Sequence, residues 1–138
     1  MNRAYLRAGL AVSAVAAVVL IAAAPPARAD ADLAKEMATA ANHAGLAAKS
    51  TNMKMTQMHL HHVVNCLVGP SGAGFDAAPG NPCKDQGTGA IPDTKDAAQK
   101  AQLQQALAKA KAGLAETDMS AAQKDATAAQ ALLTPKAM

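Results

Sequence analysis

The stretch from Met53 to Cys66, MKMTQMHLHHVVNC, holds most of the residues in this chain that could do chemistry. It places three methionines, three histidines and one cysteine within fourteen residues of an alanine-rich sequence. Imidazole nitrogens bind copper, zinc and nickel, and thioether sulfur adds affinity mainly for Cu(I). The stretch therefore indicates a metal site. The alternative is an apolar helix that carries histidines incidentally, since methionine at helical spacing often fills a core.

On a helical wheel with 100° per residue, four of these side chains share one arc of about 100°, namely Met55, Met58, His59 and His62. Met55–His59 and Met58–His62 are four residues apart, and His59–His62 are three apart, spacings that bring side chains together. We predict one metal site formed by His59 and His62 with Met55 or Met58. Copper is expected first, with zinc or nickel as alternatives.

Two histidines fall outside this arc. His61 lies about 100° round the helix, and His43 is predicted to be an isolated surface residue, also about 100° from the ligand face. Cys66 and Cys83 are the only cysteines. In an oxidising compartment they are expected to form a disulfide, which would stabilise the fold by about 3 kcal/mol. Metal ligation by thiolates is the alternative.

The compartment is indicated by residues 1–29. Arg3 and Arg7 precede an apolar run over residues 8–24, and Ala27-Arg28-Ala29 forms a small-residue cleavage site. This pattern is typical of a secretory signal peptide cleaved after Ala29, and it predicts a periplasmic or secreted protein with no stable membrane anchor after cleavage. An uncleaved anchor is the alternative, because the run is near the shortest length that spans a bilayer.

Removing residues 1–29 changes the charge argument. All three arginines lie in that segment, which leaves ten lysines against ten carboxylates and a net charge of zero. Without arginine, and with Phe75 as its one aromatic side chain, the mature chain lacks the features of a nucleic-acid-binding protein. No motif for covalent haem, phosphate binding or nucleophilic catalysis occurs, so neither haem nor an enzymatic activity is expected.

The elements that must position these residues are helices. We predict one helical domain over residues 30–138: helical over 30–68, a Gly/Pro-rich loop over 69–93, and helices over about 94–116 and 119–134. A break near residues 47–52 would convert three helices into four, because the apolar face changes sides there. The fold class is an all-α, three- or four-helix antiparallel bundle with a disulfide-stapled loop.

Helix starts and core follow from the same pattern. Asp93 or Thr94 is expected to cap the helix after the loop, and Asp118 or Ser120 the last one. Large apolar side chains are sparse and alanine fills the apolar stripes, so less apolar area is buried than in a leucine-rich core. A homo-oligomer would bury more apolar surface.

The segments AANHAGLAAKS and MHLHHVVNCL resemble the small periplasmic metal-binding proteins, which are exported, alanine-rich helical bundles carrying histidines. The matching positions are His43, His59, His61 and His62. The resemblance implies scavenging or buffering of a metal in the periplasm. The alternative is a non-catalytic structural or interaction module in which the histidines are incidental.

Overall fold

The computed structural model describes residues 32–135, and within them the chain folds into four long α-helices and one short one. Their bounds, in chain order, are α1 Leu33–Lys49, α2 Met53–Val68, α3 Ala90–Asp93, α4 Ala97–Ala115 and α5 Met119–Leu133. No strand occurs in this part of the chain, so the all-α class and the bundle with a disulfide-bonded loop are confirmed. The predicted signal peptide, residues 1–29, lies outside the described residues.

Each long helix begins after an aspartate or asparagine whose side chain accepts a hydrogen bond from the backbone N–H three residues later. These N-cap residues are Asp32, Asn52, Asp96 and Asp118. Each cap satisfies one of the N–H groups that a helix start leaves free, at a gain of about 1 kcal/mol. Only residues 50–52 separate α1 from α2, and only 116–118 separate α4 from α5, so each pair forms an antiparallel hairpin.

Alanine makes up half of the buried hydrophobic residues within residues 32–135. The core contains many alanines with no exposed surface: Ala40, Ala44, Ala47, Ala90, Ala106, Ala110, Ala122, Ala126 and Ala129. The large buried leucines are Leu60, Leu67, Leu103 and Leu133. The two hairpins pack together, α1 against α5 and α2 against α4, which closes the bundle. Interaxial distances depend on the side chains at the contact, so methyl groups allow the helices to approach closely.

The loop between α2 and α4 differs from its prediction at one end. Residues 90–93, expected to be irregular, form the single-turn helix α3. Since α3 occupies Asp93 and the chain is extended at Thr94, α4 starts at Ala97 and is capped by Asp96, neither of the two caps expected from the sequence.

Two close contacts hold this loop against α2. Cys66 and Cys83 form the expected disulfide, with their Cα atoms 5.2 Å apart and both residues buried. Gly69 and Gly89 pass each other with positive φ angles of 69° and 118°. A Cβ on Gly89 would lie 2.6 Å from the Gly69 nitrogen, so a side chain there would force the two segments apart. The two ends of the loop are therefore in backbone contact.

None of the helices within residues 32–135 combines the length and the apolar character that crossing a membrane requires.

Glu36 of α1 is a buried acid, with 1 % of its surface exposed. Its Oε1 accepts a hydrogen bond from the Gly89 N–H at 3.0 Å, while Oε2 is buried without a partner. Burial disfavours the carboxylate form and the nearby Asp93 carboxyl adds to this, so the pKa of Glu36 rises from 4.5 to about 7. The Glu36 carboxyl of α1 thus lies close to the Asp93 carboxyl of α3.

The variant Glu36→Gln tests this protonation. In wild type, unfolding becomes easier as the pH rises from 4.5 through 7, because ionising Glu36 in the folded state costs more than in the unfolded chain. Glutamine keeps the shape without the charge. The free energy of unfolding of the variant, relative to wild type, should therefore increase from pH 4.5 to pH 8 by up to about 3 kcal/mol, since one pKa unit corresponds to about 1.4 kcal/mol. Urea unfolding at both pH values measures this. An equal difference at the two pH values would contradict it.

Candidate metal centre

The α1–α2 hairpin brings three histidines together. His43 lies near the end of α1, and His59 and His62 lie on α2. Because the chain reverses at residues 50–52, α2 runs back along α1 and its histidines reach His43 from across the hairpin. All three side chains are half-buried. Their ring centroids lie 5.3 Å apart for His43–His59, 4.6 Å for His43–His62 and 5.8 Å for His59–His62.

The Nδ1 atoms of the three rings converge. His43 Nδ1 lies 3.1 Å from His59 Nδ1 and 3.2 Å from His62 Nδ1. One ring nitrogen from each histidine lies within 4.8 Å of those of the other two. Metal–nitrogen bonds of about 2.0–2.1 Å in tetrahedral geometry place ligand nitrogens about 3.3 Å apart. The two separations from His43 Nδ1, 3.1 and 3.2 Å, are close to this value.

The backbone carbonyl of Pro79 assigns the tautomer of His62. Its oxygen lies 2.7 Å from His62 Nε2, which must carry the proton because a carbonyl can only accept. In a neutral ring, Nδ1 of His62 is then a lone pair that points toward His43. A backbone or carboxylate acceptor on the second nitrogen is the arrangement that metal-binding histidines use to fix the ligating nitrogen.

Protons alone do not satisfy these contacts. His43 Nδ1 touches two other ring nitrogens, and a single proton on it can form a linear hydrogen bond to only one of them. If His43 Nδ1 carries this proton, one of its two neighbours is left without a linear hydrogen bond. If it does not, its contact with His62 Nδ1 brings two lone pairs together, which is unfavourable. A metal ion would accept all three lone pairs at once, so the convergence fits a cation better than a hydrogen-bond network.

The ionisation of the cluster favours ligand-competent rings. Burial, together with the smaller effects of the charges of His62 and His59, lowers the pKa of His43 from 6.5 to about 4. Burial also lowers the pKa of His59, with His62 as the second cause. The neutral imidazole of His43 therefore predominates from about pH 5 upward, and neutral imidazole is the form that binds metals.

The structure brings together two of the predicted ligands and adds one. His59 and His62 lie in the cluster, as their three-residue spacing indicated. The interpretation of His43 as an isolated surface residue is wrong, because the helical wheel treated residues 43 and 62 as one helix whereas the chain turns back between them. His61 points away and lies 3.7 Å from an Asp76 carboxylate oxygen, beyond hydrogen-bond distance.

Met55 and Met58 remain predicted ligands on the basis of their position. Each lies one turn before a cluster histidine, Met55 before His59 and Met58 before His62. Met55 is 39 % exposed and Met58 is half-buried. Both side chains are long and unbranched, and a thioether one turn away is within the usual reach of an i, i+4 contact.

The loop is fixed beside His62 by Asn65, one turn further along α2. The buried Asn65 amide donates to the carbonyl oxygens of Asp76 and Gly80 at 2.6 and 2.7 Å, and its Oδ1 accepts from the Asp76 N–H at 2.9 Å. These bonds hold the turn that presents the Pro79 carbonyl to His62. The Cys66–Cys83 disulfide, expected from the sequence, adds a covalent attachment of the loop to α2.

No protein-family model matches the chain, and no curated protein or solved structure shows significant similarity to it.

Replacing Asn65 by alanine should release the turn between Asp76 and Gly80 from α2. The variant removes three part-buried hydrogen bonds, to the Asp76 N–H and to the Asp76 and Gly80 carbonyls, at a cost of about 2–4 kcal/mol in the free energy of unfolding. Amide hydrogen exchange at Asp76 should accelerate well beyond the change in global stability. Asn52→Ala is the matched control, since it removes the α2 cap for about 1 kcal/mol and leaves the turn bonded. Equal acceleration at Asp76 in both variants would contradict the role of Asn65.

Proposed function

We propose that this chain is an exported helical bundle that binds one soft or borderline transition-metal ion, copper first, for scavenging or buffering. The observation that carries the proposal is the convergence of His43, His59 and His62, whose Nδ1 atoms approach to 3.1–3.2 Å around His43. The choice of metal is argued from the types of ligand atom, and export from the first 29 residues and the disulfide.

The donor set limits the choice of metal. Three neutral imidazoles suit Cu(I), Cu(II), Zn(II) and Ni(II), and they do not suit the oxygen-preferring Mg²⁺ or Ca²⁺. No carboxylate belongs to the cluster within residues 32–135, so the protein adds no negative charge to the ion. The thioethers of Met55 and Met58 on the same helical arc favour copper, in particular Cu(I), over zinc and nickel.

Export is supported by two independent features. The first 29 residues have the pattern of a cleavable signal peptide. The Cys66–Cys83 disulfide is the kind of bond that forms and persists in the periplasm or outside the cell. A periplasmic site made of neutral donors is suited to holding an ion reversibly, because neutral imidazoles need not lose protons to bind it at neutral pH.

Titration of the mature protein with Cu(I), Cu(II) and Zn(II) tests the site. Wild type should bind one equivalent of metal. Alanine at His43, His59 or His62 should each weaken binding by more than about 100-fold, since loss of an outer-shell partner alone already costs 10–100-fold. His61→Ala is the matched control and should stay within a few-fold of wild type, because His61 lies outside the cluster.

The same titrations identify the metal. The double variant Met55→Leu/Met58→Leu keeps the size and apolar character of both side chains, and it should weaken Cu(I) binding while leaving Zn(II) binding unchanged. If the double variant keeps both its Cu(I) and its Zn(II) affinity, the thioethers are not ligands and the argument for copper fails. If wild type binds no metal and its melting temperature rises with protein concentration, the alternative of a structural or interaction module is favoured instead.

A further inference from the structure

A second concave surface lies away from the histidines, between the start of the loop, α3 and α4. It is a groove of about 630 Å³, within the range of small-molecule sites. Its apolar wall is formed by the end of α2, by α3 and by the middle of α4, through Val68, Ile91, Pro92 and Leu107. None of its lining residues is a histidine, a methionine or a cysteine, so the groove shares no residue with the metal cluster.

Two lysines of α4 line this groove at separate points. Lys100 and Lys111 are eleven residues apart, which places them within about 20° of each other on the helix and about 16 Å apart along its axis. Leu107 lies between them on the same side. Lys111 also packs against the loop, since a Cβ on Gly74 would lie 3.2 Å from its Cε and 3.3 Å from its Nζ.

The charge of the groove is positive and unbalanced. No aspartate or glutamate lines it. Among the described residues, the ion pair formed by α4 joins Lys109 to Asp125 of α5, and it involves neither Lys100 nor Lys111. An apolar groove lined by two lysines complements a molecule that has an apolar chain and a carboxylate head.

We infer that this groove binds an elongated aliphatic carboxylate, with the chain along Leu107 and Ile91 and the carboxylate at a lysine. Since Lys100 and Lys111 lie about 16 Å apart along the axis of α4, each can serve a head group on its own, and an aliphatic acid uses one cation at its head and apolar contacts along its length. A monocarboxylate engages one of the two lysines, and an α,ω-dicarboxylate engages both when the flexible lysine side chains reach toward its ends. The site is independent of the proposed metal function.

Calorimetric titration of the full mature chain with decanoate and with decanedioate, each below its aggregation concentration, tests the inference. Wild type should bind one equivalent of at least one of them. The charge reversal Lys100→Glu/Lys111→Glu should weaken that binding by at least about tenfold, because attraction at the head group becomes repulsion. Both lysines are exposed, so the variant should keep its fold and its metal stoichiometry, which are checked alongside.

Matched controls separate charge recognition from simple apolar adsorption. Lys124→Gln on α5, an exposed lysine outside the groove, should bind like wild type. Decanol, which has the chain without the carboxylate, should bind at least about tenfold more weakly than decanoate. The inference would be overturned if decanol bound as tightly as decanoate or if the charge reversal had no effect. It would also be overturned if the protein bound neither acid, or bound only to anionic phospholipid vesicles.

Discussion

The close pairing of α1 and α2 across a three-residue turn is the constraint on which the rest of the structure depends. Ala40, Ala44 and Ala47 are fully buried on α1, and their small side chains allow α2 and α5 to pack closely on either side. A larger side chain at these positions would move α1 away from α2. The histidines are long enough to meet across the hairpin only because the two helix backbones are close.

The loop depends on the same pairing. It attaches to α2 through the Cys66–Cys83 disulfide and the Asn65 hydrogen bonds, and to α1 through the Gly89 N–H and Glu36. Both helices must be in place before these contacts can form. Half of the buried hydrophobic residues in the described part of the chain are alanines, which remove little apolar surface from water. The covalent bond and the polar contacts of the loop therefore contribute a larger share of stability than they would in a leucine-rich bundle.

The features of the fold that depend on neighbouring residues in the sequence could be predicted from the sequence alone. An all-α bundle with a disulfide was predicted correctly from the helical pattern, from the glycines and prolines of the loop, and from the presence of only two cysteines. The three-residue spacing of His59 and His62 placed them together because both lie on one helix. The short helix α3 was not predicted, since Pro92 and the surrounding glycines favour irregular structure and its formation depends on packing against α2 and α4.

His43 needed a different kind of reasoning. Its contact with His59 crosses between two helices, so no wheel drawn through a single helix contains it. A signal was nevertheless present, because in an antiparallel hairpin residues equally distant from the turn lie opposite each other. His43 and His59 are each eight residues from Thr51, the centre of the turn. The Pro79 carbonyl could not be foreseen at all, since any residue supplies that oxygen and only the loop geometry places it.

NMR can test directly whether His43, His59 and His62 bind one metal ion through Nδ1. The experiment records long-range proton–nitrogen correlations of the histidine rings before and after adding one equivalent of Cu(I) or Zn(II). Both ions are diamagnetic, and the nitrogen shifts distinguish a protonated, a lone-pair and a metal-bound ring nitrogen. We expect metal-bound Nδ1 in His43, His59 and His62, a retained Nε2–H in His62, and an unchanged His61. Shifts at His61 in place of His43, or no change at one equivalent, would contradict this expectation.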